Sequence, residues 1–356
     1  VGRAALRWEP SSVIEMDARV DVIRQRDSLS NNVQLIDCPP DPALGPPAGA
    51  CARYLALNGG AVDDKLDKVS AANYSFSNYD MVEGLWSTQL RLGRQSLRLT
   101  TGYFWHNSDT LNDTNPIPGN QGGSVVGTNS SAPAKFDEHF RQFSQEIRLQ
   151  SPDEGLISYI VGGYYARSRL DIDTFFGRYF SPFGASSGGE YNSATPIVIN
   201  TTNSEITHVT SLFGSATVRP TTGIRVNAGL RYSSVRKHAG RTAVVGTSST
   251  EHADASTFIP GQPTTQTALI RVLGVSAGEF DDPRRRDSRL LPSISFQADL
   301  SSESMAYVSY SKGFKAGGYS VSLNKSAFGP EGVDAYEVGI KSSLFDRALT
   351  LDISGF

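Results

Sequence analysis

From Val1 to Phe356 the chain obeys one rule: a tight turn, then a long polar connection, then a tight turn again. Each tight turn joins two segments in which apolar and polar residues alternate one by one, the period of an extended strand with two different surroundings on its two faces. Six such turns can be read. They are Pro10–Ser12, Gly93–Gln95, Ser151–Gly155, Pro220–Gly223, Ser301–Glu303 and Asp346–Arg347. The flanking segments give about twelve strands by the alternation rule. In the second hairpin Trp86, Thr88, Leu90 and Leu92 alternate with Ser87, Gln89 and Arg91. Its return strand sets Leu97, Leu99, Thr101, Tyr103 and Trp105 against Arg98, Thr100 and Gly102. The long connections are expected at 27–80, 107–139, after Ile172, and at 238–287.

This asymmetry restricts the fold. A β-sandwich spaces its turns without a regular short-long order, and a propeller repeats a signature every 40 to 50 residues or so, which this chain lacks. A transmembrane β-barrel has short turns at one rim and long loops at the other. The polar face carries Arg, Glu, Gln, Asn, Ser and Gly. That is too polar for the dry core of a sandwich and suited to a wide or plugged lumen. Mean hydropathy is −0.28, but only alternate residues of strands about 9–11 residues long meet lipid in a barrel, so a soluble-looking average is expected. Tyr103, Trp105, Tyr232 and Tyr310 fall near the strand ends that lead into long loops, as an outer aromatic girdle requires; ordinary core aromatics are the alternative. No apolar run reaches the roughly 18 residues of a spanning helix. A net charge of −3 gives no electrostatic case for nucleic acid.

Cys38 and Cys51 enclose Pro39, Pro40, Pro42, Pro46 and Pro47. A short proline-rich loop between two cysteines reads as a disulfide made in an oxidising compartment, with two unpaired buried thiols as the alternative.

Two stretches carry a resemblance. Met305–Ser320 is a Tyr/Ser strand running into Gly313, Phe314, Lys315, Gly317 and Gly318. Asp334–Phe356 runs from Tyr336, Glu337, Gly339 and Lys341 through Leu344, Phe345 and Asp346 to Leu349, Leu351 and Ile353. Together they resemble the barrel of TonB-dependent outer-membrane receptors, sharply over Ser293–Phe356 and more weakly at Phe143–Leu149 and Leu212–Tyr232. The resemblance implies an all-β, antiparallel transmembrane barrel of roughly 22 strands filled by an N-terminal plug and energised through TonB. Residues 1–356 are then expected to be part of that barrel domain, without the plug, the TonB-binding segment or the remaining strands. About twelve strands leave two open edges, which lipid does not tolerate, so the segment is not expected to insert alone. The implied setting is the outer membrane of a Gram-negative bacterium, with outer-membrane lipid and lipopolysaccharide as neighbours. The implied task is uptake of a scarce ligand, first a ferric siderophore, with haem, cobalamin or a saccharide open. A passive porin and a secreted carbohydrate-binding β-protein are the competing readings.

The expected sites follow. Glu337 and Lys341 share one face of their strand, opposite Tyr336, Val338 and Ile340. They are read as lumen-facing and in contact with the plug, or as a solvated pair worth little. Phe175, Phe176, Tyr179, Phe180, Phe183 and Tyr191 are read as an aromatic loop that offers rigid contact area to a ligand, or that packs on its neighbours. Asp281, Asp282 and Arg284–Arg286 form a charge run read as solvated surface or as attracted to lipopolysaccharide. The five histidines lack metal-ligand spacing, no nucleophile, base and orienting group assemble, and no cofactor is assigned.

Overall fold

In the computed structural model, residues 1–29, 55, 64–65, 75–112, 130–179, 197–249, 253–263, 266, 278–320 and 326–356 are described. They are almost entirely strand. The six expected hairpins are β1 (Gly2–Ser11) with β2 (Ile14–Leu29), β3 (Ser75–Leu92) with β4 (Gln95–Asn112), β5 (Ser130–Gln150) with β6 (Ile157–Tyr179), β7 (Ile197–Thr221) with β8 (Ile224–Ser248), β10 (Arg284–Asp299) with β11 (Ser304–Lys315), and β14 (Glu331–Leu344) with β15 (Leu349–Gly355). One antiparallel sheet takes them in chain order from β1 to β15. The short β9 (Phe258–Pro260) pairs with the outer end of β8, while β12 (Gly318–Tyr319) and β13 (Ala327–Phe328) form a separate ribbon. Among the described residues β1 and β15 are the two open edges, and the sheet does not close.

Turn chemistry sets the register. Leu92 pairs with Gln95 across Gly93 and Arg94, and Gly93 has φ +65°. A positive φ at the first central residue matches the twist of the flanking strands, and Gly holds it without a Cβ clash. From such turns the pairing runs unbroken for many residues and sorts side chains into two faces. Ile294, Tyr310 and Tyr336 meet across three strands, as do Phe296, Val308 and Val338. These residues are largely open to the surroundings, Tyr336 by 67% and Val338 by 60%. Leu212, Leu230, Tyr232 and Leu290 continue the same apolar face. In water this would be an exposed apolar surface of unusual size; against acyl chains it is the matched one.

The strands overrun the expected loops. β2 continues to Leu29 and β3 starts at Ser75; β4 continues to Asn112 and β5 starts at Ser130; β8 continues to Ser248 and β10 starts at Arg284. β6 reaches Tyr179, which puts Phe175, Phe176 and Tyr179 in a strand instead of a loop. Backbone pairing persists where both faces are wet, so the hydrogen-bond ladder continues after the alternation that marks a strand has faded. The buried apolar residues gather in this extension. Phe175 packs with Val198, Ala253 and Phe258, with Ile197 and Ile199 also buried.

Candidate functional site

The polar face is the chemically equipped one. At the β1–β3 end it carries an ion network in which Arg7 reaches Glu15 and Asp17, Arg19 reaches Asp21 and Glu83, and Arg91 reaches Glu15. Most of these groups are half exposed, so each pair contributes little alone and the network chiefly fixes side-chain positions. Next to it, β3–β5 build an aromatic cluster. His106 Nε2 lies 2.7 Å from Glu138 Oε1. The imidazole stacks on Phe140 at 5.3 Å and 20°, with Tyr79 at 5.4 Å and Phe104 edge-on at 5.6 Å. The faces explain the grouping. Tyr79 shares a face with Glu83, Phe104 and His106 share one with Arg98, and these are the sides turned away from Trp86 and Tyr103. Sequence reading missed this cluster, yet its signal was present as aromatic residues at polar-face positions of three consecutive strands.

Further along, the Arg231 guanidinium sits over the rings of Tyr164 (5.9 Å) and Phe213 (5.6 Å), and its Nη2 donates to Ser211 Oγ at 2.9 Å. A half-buried cation over two π faces is held more firmly than one in water.

Glu337 and Lys341 both lie on the polar face, but they are not joined to each other. The Tyr307 hydroxyl donates to Glu337, Lys341 Nζ reaches Asp352 at 3.0 Å, and the Lys341 ammonium stands 5.8 Å from the Tyr307 ring. The ring lies across Gly339, where a Cβ would come within 2.6 Å of three of its atoms. Gly339 thus opens the space that seats Tyr307 between the two charges, a cross-strand aromatic covering a glycine.

Of the expected aromatic loop, Phe175 is buried in the outer cluster and Phe176 is half-buried. Tyr179 ends β6, and Phe180, Phe183 and Tyr191 lie outside the described residues, as do Cys38 and Cys51. At the outer rim two connections meet. Asp287 accepts from Arg285 Nε (2.7 Å) and from the Gly317 amide (3.1 Å), and the Tyr319 hydroxyl donates to the Asp282 carbonyl (3.0 Å). Tyr103, Trp105, Tyr232 and Tyr310 all stand on the apolar face.

A family model described as TonB dependent receptor-like, beta-barrel, matches residues 30–356. No curated protein matches the chain in sequence. Among solved structures, the siderophore receptor PiuA from Acinetobacter baumannii aligns with TM-score 0.61 at 13% identity, over 99% of this chain and 48% of that one. The ferripyoverdine receptor of Pseudomonas aeruginosa aligns with TM-score 0.58 at 13% identity, over 99% and 40%. The ferric yersiniabactin uptake receptor FyuA from Yersinia pestis aligns with TM-score 0.56 at 12% identity, over 96% and 49%. The chain therefore spans about half the length of these receptors or less, and at such identities the likeness is one of fold. With the family match extending from the first long connection to the last strand, and the sheet following those barrels over nearly its whole length, the chain belongs to the TonB-dependent receptor-like β-barrel family.

Proposed function

We propose that the chain forms part of the barrel wall, on the order of half of a 22-stranded barrel, of an energised outer-membrane receptor that takes up a scarce ligand, first a ferric siderophore. The observation that carries this reading is the division of one long antiparallel meander into an apolar face and a densely charged one, because a wall between lipid and a filled lumen needs both. The family membership and the siderophore receptors among the structural neighbours support it.

In this reading the polar face lines the lumen. Glu337, Lys341 and the Arg7–Arg19–Arg91 network present fixed charges to a plug, and a plug pulled through TonB would exchange these contacts. The Tyr79, Phe104, His106 and Phe140 cluster stands toward the long-loop end and offers flat contact area with one carboxylate for a ligand entering from outside. Phe175 anchors the base of the outer connection and, with Phe176, holds any ligand-contacting loop residues in place.

The test is uptake by cells carrying the intact gene, under iron limitation, of radiolabelled ferric complexes of catecholate, hydroxamate and citrate type. Uptake of one complex that disappears on deleting the gene, and equally on removing TonB, is expected. Entry that continues at full rate without TonB would instead establish a passive channel. Haem-, cobalamin- or saccharide-dependent growth without iron transport would keep the receptor and change its ligand.

A further inference from the structure

Beyond Trp105, on the same side of the sheet, one lysine stands in an otherwise apolar row. Lys135 pairs in register with Leu111 on β4 and with Phe175 on β6, each only 4% exposed, and its ammonium stands 5.9 Å from the Phe76 ring. Only 13% of its side chain is open. One row toward the tight turns the ladder sets carboxylates side by side, Asp109 opposite Asp137 and Asp137 opposite Asp173. Lys135 Nζ reaches both Asp109 Oδ1 and Asp137 Oδ1.

One ammonium cannot neutralise both of its carboxylates, and directly opposed like charges repel. A proton resolves the conflict. Burial first, and then the Asp109 carboxylate beside it, push the Asp137 carboxyl above its ordinary value against the pull of Lys135. Burial pulls the Lys135 ammonium down, but hydrogen bonds to Asp109 and Asp137 outweigh it and leave it raised, so its nitrogen becomes a nucleophile only when a carboxylate takes its proton. The group lies outside the apolar band, since Asp109 follows Trp105 by four residues on a strand climbing away from it. An amine, a carboxyl in contact with it and a second carboxyl able to pass a proton are thus held together among apolar side chains, the proximity that turns a bimolecular condensation into an intramolecular one.

We propose that Lys135 and Asp109 condense to an isopeptide bond that staples β4 to β5, with Asp137 as the proton-transfer group. The Lys135 ammonium passes a proton to Asp109 through Asp137, and the freed Nζ lone pair attacks Asp109 Cγ. The Nζ–Cγ bond forms and one Cγ–Oδ bond breaks. The departing oxygen leaves as water with two protons that began on Nζ, one proton stays on the amide nitrogen, and Asp137 ends as it started, so no oxidant or further reactant is needed. Asp109 is the electrophile because it lies across the strand pair, whereas Asp137 is two residues from Lys135 on the same strand and holds the proton. Its side chain is 36% open, which gives the water a way out. The bond would close the base of the connection between β4 and β5. The chemistry depends neither on the transported ligand nor on TonB.

The test is tandem mass spectrometry on proteolytic digests of the intact receptor, purified from cells and fully denatured. A branched peptide joining the Asp109 and Lys135 segments, lighter by one water than the two together, is expected. Lys135→Arg keeps the ion pairs but has no amine that can condense, and Asp109→Ala has no carboxyl, so both should yield only separate peptides. Asp137→Asn should leave less than about a tenth of the chains linked, as loss of a proton-transfer group predicts, and Asp137→Glu should restore the link. Separate peptides of unaltered mass from the unaltered receptor, or a link that joins Lys135 to Asp137, would overturn the proposal, and full linkage in Asp137→Asn would remove Asp137 from the step. If the variants do not fold, the mass of the unaltered receptor decides alone. Separate peptides with labelled-ligand uptake intact would leave the transport reading standing.

Discussion

Replacing Ile294 by Arg tests the assignment of the two faces most directly. Ile294 is 52% exposed and lies five residues before Asp299, the last residue of β10. At about 3.3 Å per residue and a strand tilt near 40°, those five residues climb about 13 Å, half the height of an apolar band about 25 Å tall. An arginine facing lipid at the midplane costs about 2–4 kcal/mol. That corresponds to roughly a 30- to 900-fold change in the folding equilibrium. Ser309 supplies the control. It pairs in register with Ser295 and Glu337, so an arginine there stands at similar height on the polar face beside a carboxylate. S309R should cost less than about 1 kcal/mol. The assay is urea-driven unfolding and refolding of the intact receptor in phosphatidylcholine vesicles, followed by tryptophan fluorescence. If I294R costs no more than S309R, Ile294 does not face lipid and the assignment of faces is wrong.

The remaining perturbations address other parts of the wall. Gly339→Val forces the Tyr307 ring off its seat and should lose about 1–3 kcal/mol through overpacking, read by the same urea titration, and Tyr307→Ala in the same chain should recover part of the loss. In the turn between β5 and β6, hydrogen bonds from Arg219 first, and from the Ser158 hydroxyl, hold the Asp153 carboxyl below its ordinary value. A depressed carboxylate contributes stability above its unfolded pKa of about 3.9 and loses it as pH falls through the folded value, so Asp153→Asn should flatten the acid limb of stability below about pH 4 and leave neutral pH behaviour unchanged in slope. Phe175→Ala removes the buried ring of the outer cluster and should cost about 3 kcal/mol locally, seen as faster hydrogen exchange at Ile197–Ile199 with slow exchange retained near Ala216 and Ala228.

Hairpin order was legible because each tight turn kept its own chemistry and apolar and polar residues alternate strictly between turn and girdle. Ile224, Val226, Ala228, Leu230 and Tyr232 face one way, with Arg225, Asn227, Gly229 and Arg231 opposite, and the register agrees with that division. Strand ends were not legible. Beyond Tyr232 the positions on the apolar face become Ser234, Arg236 and His238 while Val235 and Ala239 fall on the opposite face, so the period-2 signal vanishes although pairing continues to Ser248. The resemblance pointed to Glu337 and Lys341 but not to Tyr307, whose placement depends on a glycine one strand away. The His106 cluster is also a cross-strand object. Tyr79, Phe104 and Phe140 are far apart in the chain, and only the register brings them around one imidazole.

The two environments also explain where the core sits. β7 and β8 have 25 residues each, and at the same rise and tilt each climbs about 60 Å, more than twice the apolar band. In the proposed wall the large apolar residues within the band are the exposed ones, as expected where lipid would supply the apolar neighbour. Beyond the band, where in this reading water would surround the sheet, burial has to come from the protein itself. There Val198 and Val245 have no exposed surface and Arg241 only 1%. The Arg241 amide donates to Glu279, and its guanidinium donates to the Gly278 carbonyl, so the connection leaving β8 is drawn onto the strand it leaves. The same hydrophobic effect that leaves Leu212 uncovered in the band therefore builds a small conventional core above it. Average hydropathy mixes the two regions and describes neither.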